Sequence, residues 1–129
     1  MADRGATASI ATSWDGSHPP ENVLDGSEST FWVTTGMFPQ ELVITLGANA
    51  DVSRVAINGA GLRRISIASC TSEQPGAYDT VLHETDLERV DGRQSEVFKV
   101  KMSSVRHVKL TIHAGWEHFV SISSVRLEP

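Results

Sequence analysis

Arg106-His107-Val108-Lys109-Leu110-Thr111-Ile112-His113 alternates without a break, with Val108, Leu110 and Ile112 on one parity and His107, Lys109, Thr111 and His113 on the other. Successive side chains of a strand point to opposite faces, so a period of two marks a strand with one face on a core. Working outward, Gln40–Leu46 repeats the pattern, setting Leu42, Ile44 and Leu46 against Glu41, Val43 and Thr45. Arg54–Asn58 sends Val55 and Ile57 inward, and Leu62–Ala68 sends Ile65 and Ile67 inward with Arg64 and Ser66 outward. Tyr78–Glu84 and Glu96–Met102 complete the set of predicted strands.

Turn signals separate these segments: Asp15-Gly16, Asp25-Gly26, Asn58-Gly59 with Gly61, Pro75-Gly76 and Asp91-Gly92. No helical stripe exceeds two turns. Short strands closed by Gly and Pro turns predict an all-β fold, an antiparallel β-sandwich of jelly-roll type. Near the end, Val120 and Ile122 share one parity while Val125 and Leu127 take the other, which places a bulge near Ser123-Ser124. With no repeat, linker or low-complexity stretch, residues 1–129 read as a single domain.

Charge narrows the function. The chain has 11 Lys and Arg against 16 Asp and Glu, a formal charge of −5. Arg63-Arg64 and Lys99 with Lys101 are the only local basic clusters, and both fall on strand-like alternation. Nucleic acid is therefore not expected as a partner, since its binding needs a basic stripe that displaces counterions. An acidic surface also disfavours anionic membranes, and no apolar run approaches the roughly 18 residues of a spanning helix. The N-terminus, Met1-Ala2-Asp3-Arg4-Gly5, lacks the apolar stretch of a secretory signal. Cys70 is the only cysteine, so no internal disulfide forms and a reducing compartment is expected. It reads as a small apolar filler at a strand end.

The most unusual segment is His18-Pro19-Pro20-Glu21-Asn22-Val23-Leu24-Asp25-Gly26-Ser27-Glu28-Ser29-Thr30-Phe31-Trp32. Asn22, Asp25, Ser27, Glu28, Ser29 and Thr30 supply oxygens within nine residues, and Ca²⁺ takes about six to eight oxygen ligands, many from carbonyls of a tight turn. It is no EF-hand, because the twelfth position counted from Asp25 is Gly36, where a bidentate acid is needed. From composition alone, a plain turn with side chains capping its backbone is the better explanation of the segment.

Asn22-Val23-Leu24-Asp25-Gly26 followed by Thr30-x-Trp32 resembles the motif of the discoidin, or galactose-binding-like, superfamily. More narrowly, Ala11-Thr12-Ser13, His18-Pro19-Pro20-Glu21-Asn22 and Thr34-Thr35-Gly36-Met37-Phe38-Pro39-Gln40-Glu41 resemble the small discoidin-type subunits of intraflagellar transport complex B, as do His118-Phe119 and Ser124-Val125. The resemblance spans nearly the whole chain. It implies an eight-stranded jelly roll and a non-enzymatic subunit of the intraflagellar transport B complex. The implied partner is a Rab-like small GTPase (intraflagellar transport protein 27), bound as a heterodimer in ciliary or flagellar protein trafficking. The implied location is the cilium or flagellum and the cytoplasm around the basal body. It further implies one structural Ca²⁺ with no Lewis-acid role, held by the carbonyl of Asn22, the carboxylate of Asp25, a carbonyl of Ser27 and the hydroxyl of Thr30. Many members complete that shell with a Glu in the last strand. The aligned residue here is Ser124, a departure that weakens the site or leaves a position to water.

Other constellations point to no chemistry. His107 and His113 share a parity but sit six positions apart, roughly 20 Å along a strand, too far to share a Zn²⁺, and they read as surface histidines. No G-x-S-x-G elbow, P-loop or G-x-G-x-x-G is present, and acid pairs such as Glu84 and Asp86 read as solvated positions. No enzyme is expected. Trp32 is assigned to the core. Trp116, His118 and Phe119 form a candidate partner-contact loop between the last strands. The alternative function is a carbohydrate- or lipid-binding discoidin module.

Overall fold

The computed structural model describes residues 7–11, 32–33, 37–72, 78–89, 93–116 and 120–129, of which 7–11 and 33 are described by their main chain only. Among the described residues seven strands run in chain order: β1 (Thr7–Ala11), β2 (Trp32–Val33), β3 (Gln40–Ala60), β4 (Leu62–Cys70), β5 (Asp79–Asp86), β6 (Gln94–Gly115) and β7 (Ser121–Glu128). All pairings are antiparallel.

β3 and β6 have 21 and 22 residues, and a straight strand of that length would span about 70 Å. They do not run straight. Leu62 pairs with Gly115 at the end of β6, while its N–H and C=O are both bonded, at 3.0 Å, by the side-chain amide of Gln94 at the start of β6. The two ends of β6 therefore meet at one residue, and the strand doubles back between them. β3 doubles back beside it, with register shifts between Thr45 and Arg54 marking the bend.

Each bent strand serves two sheets. Residues 40–45 of β3 lie between β1 and the second half of β6, which continues to β4 and β5. Residues 54–60 of β3 lie between the first half of β6 and β7, which continues to β2. Both sheets send their inward parity into one core: Leu42, Ile44, Ile65, Ile67, Val108, Leu110 and Ile112 from the first, Val55, Ile57, Ile122, Val125 and Leu127 from the second. Each such aliphatic side chain is worth about 1.5–3 kcal/mol over its exposed state, which is why the alternating parity governs the register. Trp32 is fully buried in that core, as expected.

The bends are stitched to each other. Asp51 Oδ1 of β3 accepts from the Ser104 N–H of β6 at 2.8 Å, and Asn49 Nδ2 donates to the Ser104 and Thr71 carbonyls at 2.8 and 3.0 Å. Ser104 is the one described non-glycine residue with positive φ, 56°, a conformation that costs of order 1 kcal/mol and that these bonds hold in place.

Three sequence readings need revision. The segments Gln40–Leu46 and Arg54–Asn58 are halves of one strand, as are Glu96–Met102 and Arg106–His113. Asn58-Gly59 is not a turn but lies within β3. A Cβ at Gly59 would stand 2.3 Å from the Ser121 carbonyl oxygen, so glycine serves the close approach of β7. The turn falls at Gly61, whose φ is 82°. Finally, His107 is no surface histidine: it is 2% exposed and bonded through Nδ1 to Thr45 Oγ1 at 2.8 Å. The bulge is where alternation placed it, since Asn58 pairs with Ser124 and Gly59 with Ile122, leaving Ser123 unpaired.

Candidate partner-binding rim

Doubling back brings both ends of β3 and of β6 to one end of the sandwich, where they meet the start of β4, the end of β5 and the start of β7. The described part of this rim consists of Met37–Pro39, Gly61–Arg63, Leu87–Arg89, Gln94 and Trp116.

Main-chain bonds fix its geometry. The Trp116 N–H donates to the Gly61 carbonyl at 2.9 Å, and the Leu87 N–H donates to the Arg63 carbonyl at 2.7 Å. Leu87 tucks into the core at the end of β5. Gln94 is 2% exposed and joins the Leu62 backbone to Glu96 Oε2 at 3.2 Å and the Glu88 carbonyl at 3.5 Å. Satisfying so many groups with one buried amide makes this end stiff.

Two guanidinium groups converge on Trp116: Arg63 lies 4.9 Å and Arg89 5.8 Å from the ring centroid, both within cation–π range. The indole Nε1 is buried and meets no acceptor among the described residues. Beside Arg63, Arg64 Nε pairs with Asp86 Oδ1 at 2.7 Å on the surface, and that contact pushes the guanidinium pKa up. Across the rim, Met37 is 89% exposed, an unusual exposure for a large apolar side chain. Its turn is not loose. Phe38 packs on the core, and fully buried Gln40 donates through Nε2 to the Met37 carbonyl at 2.5 Å.

Of the residues singled out for a partner-contact loop, the structure places Trp116 on this rim; His118 and Phe119 lie outside the described residues. The calcium candidates Asn22, Asp25, Ser27 and Thr30 also lie outside them. Ser124, aligned with the family's last-strand Glu, accepts from Asn58 Nδ2 at 2.8 Å, and Glu128 pairs with Arg54 at 3.7 Å. Among the described residues no three His, Cys, Asp or Glu side chains gather as a metal site. His113 is bonded to Ser66 Oγ at 2.7 Å and lies 3.4 Å from Glu84. The arginines over Trp116 were not read as a site, since they come from β4 and from beyond β5 and only the fold assembles them. Nothing in the alternation marks Met37 as exposed; an apolar residue directly before Phe38-Pro39 is the signal the sequence offers.

Known proteins resemble the chain along nearly its full length. The F5/8 type C domain model matches residues 5–126. The human intraflagellar transport protein 25 homolog is 34% identical over 129 residues, covering 99% of this chain and 89% of that protein. Intraflagellar transport protein 25 of Chlamydomonas reinhardtii is 32% identical over 123 residues, covering 95% of this chain and 65% of that protein. Among solved structures, the family 32 carbohydrate-binding module of C. perfringens NanJ, in complex with galactose, superposes with a TM-score of 0.81 at 25% identity, covering 98% of this chain and 96% of that one. Chitosan-binding module 1 from the chitosanase/glucanase of Paenibacillus sp. IK-5 gives 0.83 at 22% identity, covering 99% and 98%, a likeness of fold.

Proposed function

Because the chain belongs to the intraflagellar transport protein 25 family, built on an F5/8 type C domain, we propose that it is a non-catalytic docking subunit that pairs with a Rab-like small GTPase inside intraflagellar transport complex B. Family membership makes it an intraflagellar transport protein associated with the cilium or flagellum. The heterodimer, and residence around the basal body as well, are the finer parts of the proposal. The observation that carries it is Met37, an apolar side chain held 89% exposed on a turn pinned by buried Gln40. Exposed apolar groups on rigid supports are what interface hot spots are made of. Trp116 and its arginines on the same rim supply the aromatic and cationic contacts that accompany such anchors.

The test is co-purification with the GTPase, followed by size-exclusion with mass determination. A 1:1 complex is expected. Met37→Asp should weaken it by about 2 kcal/mol or more without changing the melting temperature of the free chain. Failure of the unaltered chain to pair overturns the reading. A glycan array that lights up in the same preparation would instead favour the carbohydrate-binding alternative, for which the galactose-bound neighbour is the supporting observation.

Asn22, Asp25, Ser27 and Thr30 fit a calcium ion by the chemistry of their donors, which are hard oxygens without a sulfur or nitrogen ligand. Trp32, two residues on, is fully buried and paired with Ile122, so the segment they occupy ends on a fixed anchor. We propose that the bound ion supplies positive charge that gathers the carbonyls and the Asp25 carboxylate, a structural role. Calcium at about 100 times its dissociation constant should stabilise the fold by about 2.7 kcal/mol. Asp25→Ala should abolish that gain, and melting indifferent to both calcium and the substitution overturns the assignment.

A further inference from the structure

The first half of β6, residues 94–101, is a sheet edge. Residues 94–99 pair with β3 on one side, and among the described residues no strand pairs on the other, because β4 meets β6 only from His107 onward. Its side chains alternate cleanly: Glu96, Phe98 and Val100 are partly buried, whereas Ser95, Val97, Lys99 and Lys101 stand exposed on the outer face. Val97 is 60% exposed, the only large apolar side chain besides Met37 so described.

The outer face behind this edge is basic. Cross-strand register places Lys99 beside Arg54 and then Glu128, and Val97 beside Ala56 and then Arg126. With Lys101, four outward Lys and Arg side chains stand here against one acid, Glu128, among the described residues, on a chain of net charge −5. Glu128 is engaged with Arg54 at 3.7 Å. Lys99, Lys101 and Arg126 have no ion pair among the described residues.

We propose that this edge receives an extended acidic segment of a partner protein as an added strand, whose side chains on the outer face are apolar opposite Val97 and acidic opposite Lys99 and Lys101. The spacing selects the occupant. Lys99 and Lys101 are two residues apart, about 6.7 Å along a strand, the interval at which a second strand repeats its side chains on one face. The unpaired main chain of β6 supplies the hydrogen bonds of strand addition, and the outward side chains supply its selectivity. A second copy of this edge is a poor occupant, since it would bring the same lysines to the face again with no outward acid to meet them. A phosphate polymer or lipid surface would use the cations but leave Val97 and the free peptide groups without a role. The surface is separate from the Met37 rim and does not depend on the GTPase reading.

The probe is the capped peptide Thr-Glu-Thr-Glu-Thr-Val-Thr-Thr, whose outward positions run Glu, Glu, Val against Lys101, Lys99 and Val97 in antiparallel register, titrated into the intact chain. Saturable binding is expected, with slowed hydrogen exchange at residues 95–101. Binding should weaken on going from about 0.1 M to 1 M salt, as the Debye length shrinks from about 10 Å to 3 Å. Lys99→Glu with Lys101→Glu should weaken it about tenfold or more by like-charge repulsion, and should leave melting and GTPase binding unchanged. N-methylation of every residue in the peptide should abolish binding by removing all its main-chain donors. Equal binding of the N-methylated peptide, indifference to the double substitution, or exchange protection confined to the Met37 rim would each overturn the proposal. So would tighter binding to phosphatidylserine vesicles than to the peptide.

Discussion

The outer faces of the two sheets are built largely from the same two strands and have opposite fates. On the first sheet, outward-parity Val43, Ala68, Cys70, His107 and Thr111 are all at or below 9% exposure. On the second, outward-parity Ser95, Val97, Lys99 and Arg126 stand open to solvent. Neither difference lies in local preference, since both faces alternate with equal regularity. What differs is whether something lies on top. Tyr78, just before β5, reaches across the first face with Lys109 Nζ 4.5 Å from its ring centroid, while Glu41 holds the same lysine at 3.6 Å. One face has become a second core layer; the other remains available for a partner.

Placing the same substitution on both faces is the strongest way to break this contrast. Val43→Asp places a carboxylate at a 3% exposed position opposite Lys109, which already pairs with Glu41, and burying a charge there should destabilise by about 2 kcal/mol or more. Val97→Asp, at equivalent parity on the open face, should change stability by less than about 0.5 kcal/mol. Paired urea titrations measure both. Similar losses at the two sites would show that the second face is covered as well.

A smaller effect sharpens the contrast through polar groups. Thr45→Val removes the hydroxyl that His107 Nδ1 meets at 2.8 Å and leaves a buried ring nitrogen with one partner fewer, a loss of about 1 kcal/mol or more. Ser95→Ala removes the exposed hydroxyl that donates to Asn58 Oδ1. Water replaces that partner, so the cost should be only a few tenths of a kcal/mol, within the range of ordinary surface changes. Equal costs, measured by chemical denaturation, would mean that solvent reaches both sites alike.

These two faces also mark where sequence reasoning stops. Alternation named the inward residues correctly: Leu42, Ile44, Val55, Ile57, Ile65, Ile67, Val108, Leu110 and Ile112 are all core. The parity change before Val125 located the Ser123 bulge because a bulge must reverse parity. Period two, however, reports only which side a residue faces. Val43 and His107 looked like solvent positions because alternation cannot show what lies over a face. The joined strands were missed for a related reason: in Gly47–Ser53 the alternation lapses, as it does at any turn, and only pairing with β6 shows a strand passing through a bend. On the rim, Trp116 was legible as a candidate contact residue, whereas its half-burial and its contacts with Arg63 and Arg89 depend on strands the sequence does not place side by side. The calcium candidates rest on their motif and donor chemistry.

The smallest expected effect concerns the cover itself. Tyr78 places its hydroxyl where it is buried and meets no partner among the described residues, and burial first, then the neighbouring Cys70 and Glu41, push the phenol pKa up. A phenol with a raised pKa keeps its proton in the folded state more tightly than in the unfolded one. Stability is therefore intact below the unfolded value of about 10 and falls as pH rises above it. Tyr78→Phe keeps the ring over Lys109 and deletes both the unpaired hydroxyl and the proton. At pH 7 it should be neutral or stabilising by less than about 1 kcal/mol, and the alkaline loss of stability should become shallower than in the unaltered chain. Denaturation at pH 7 and at successive steps above pH 10 measures both effects. A clear loss at pH 7 would mean that the hydroxyl has a partner, and that the lid over the first face is held by more than ring packing.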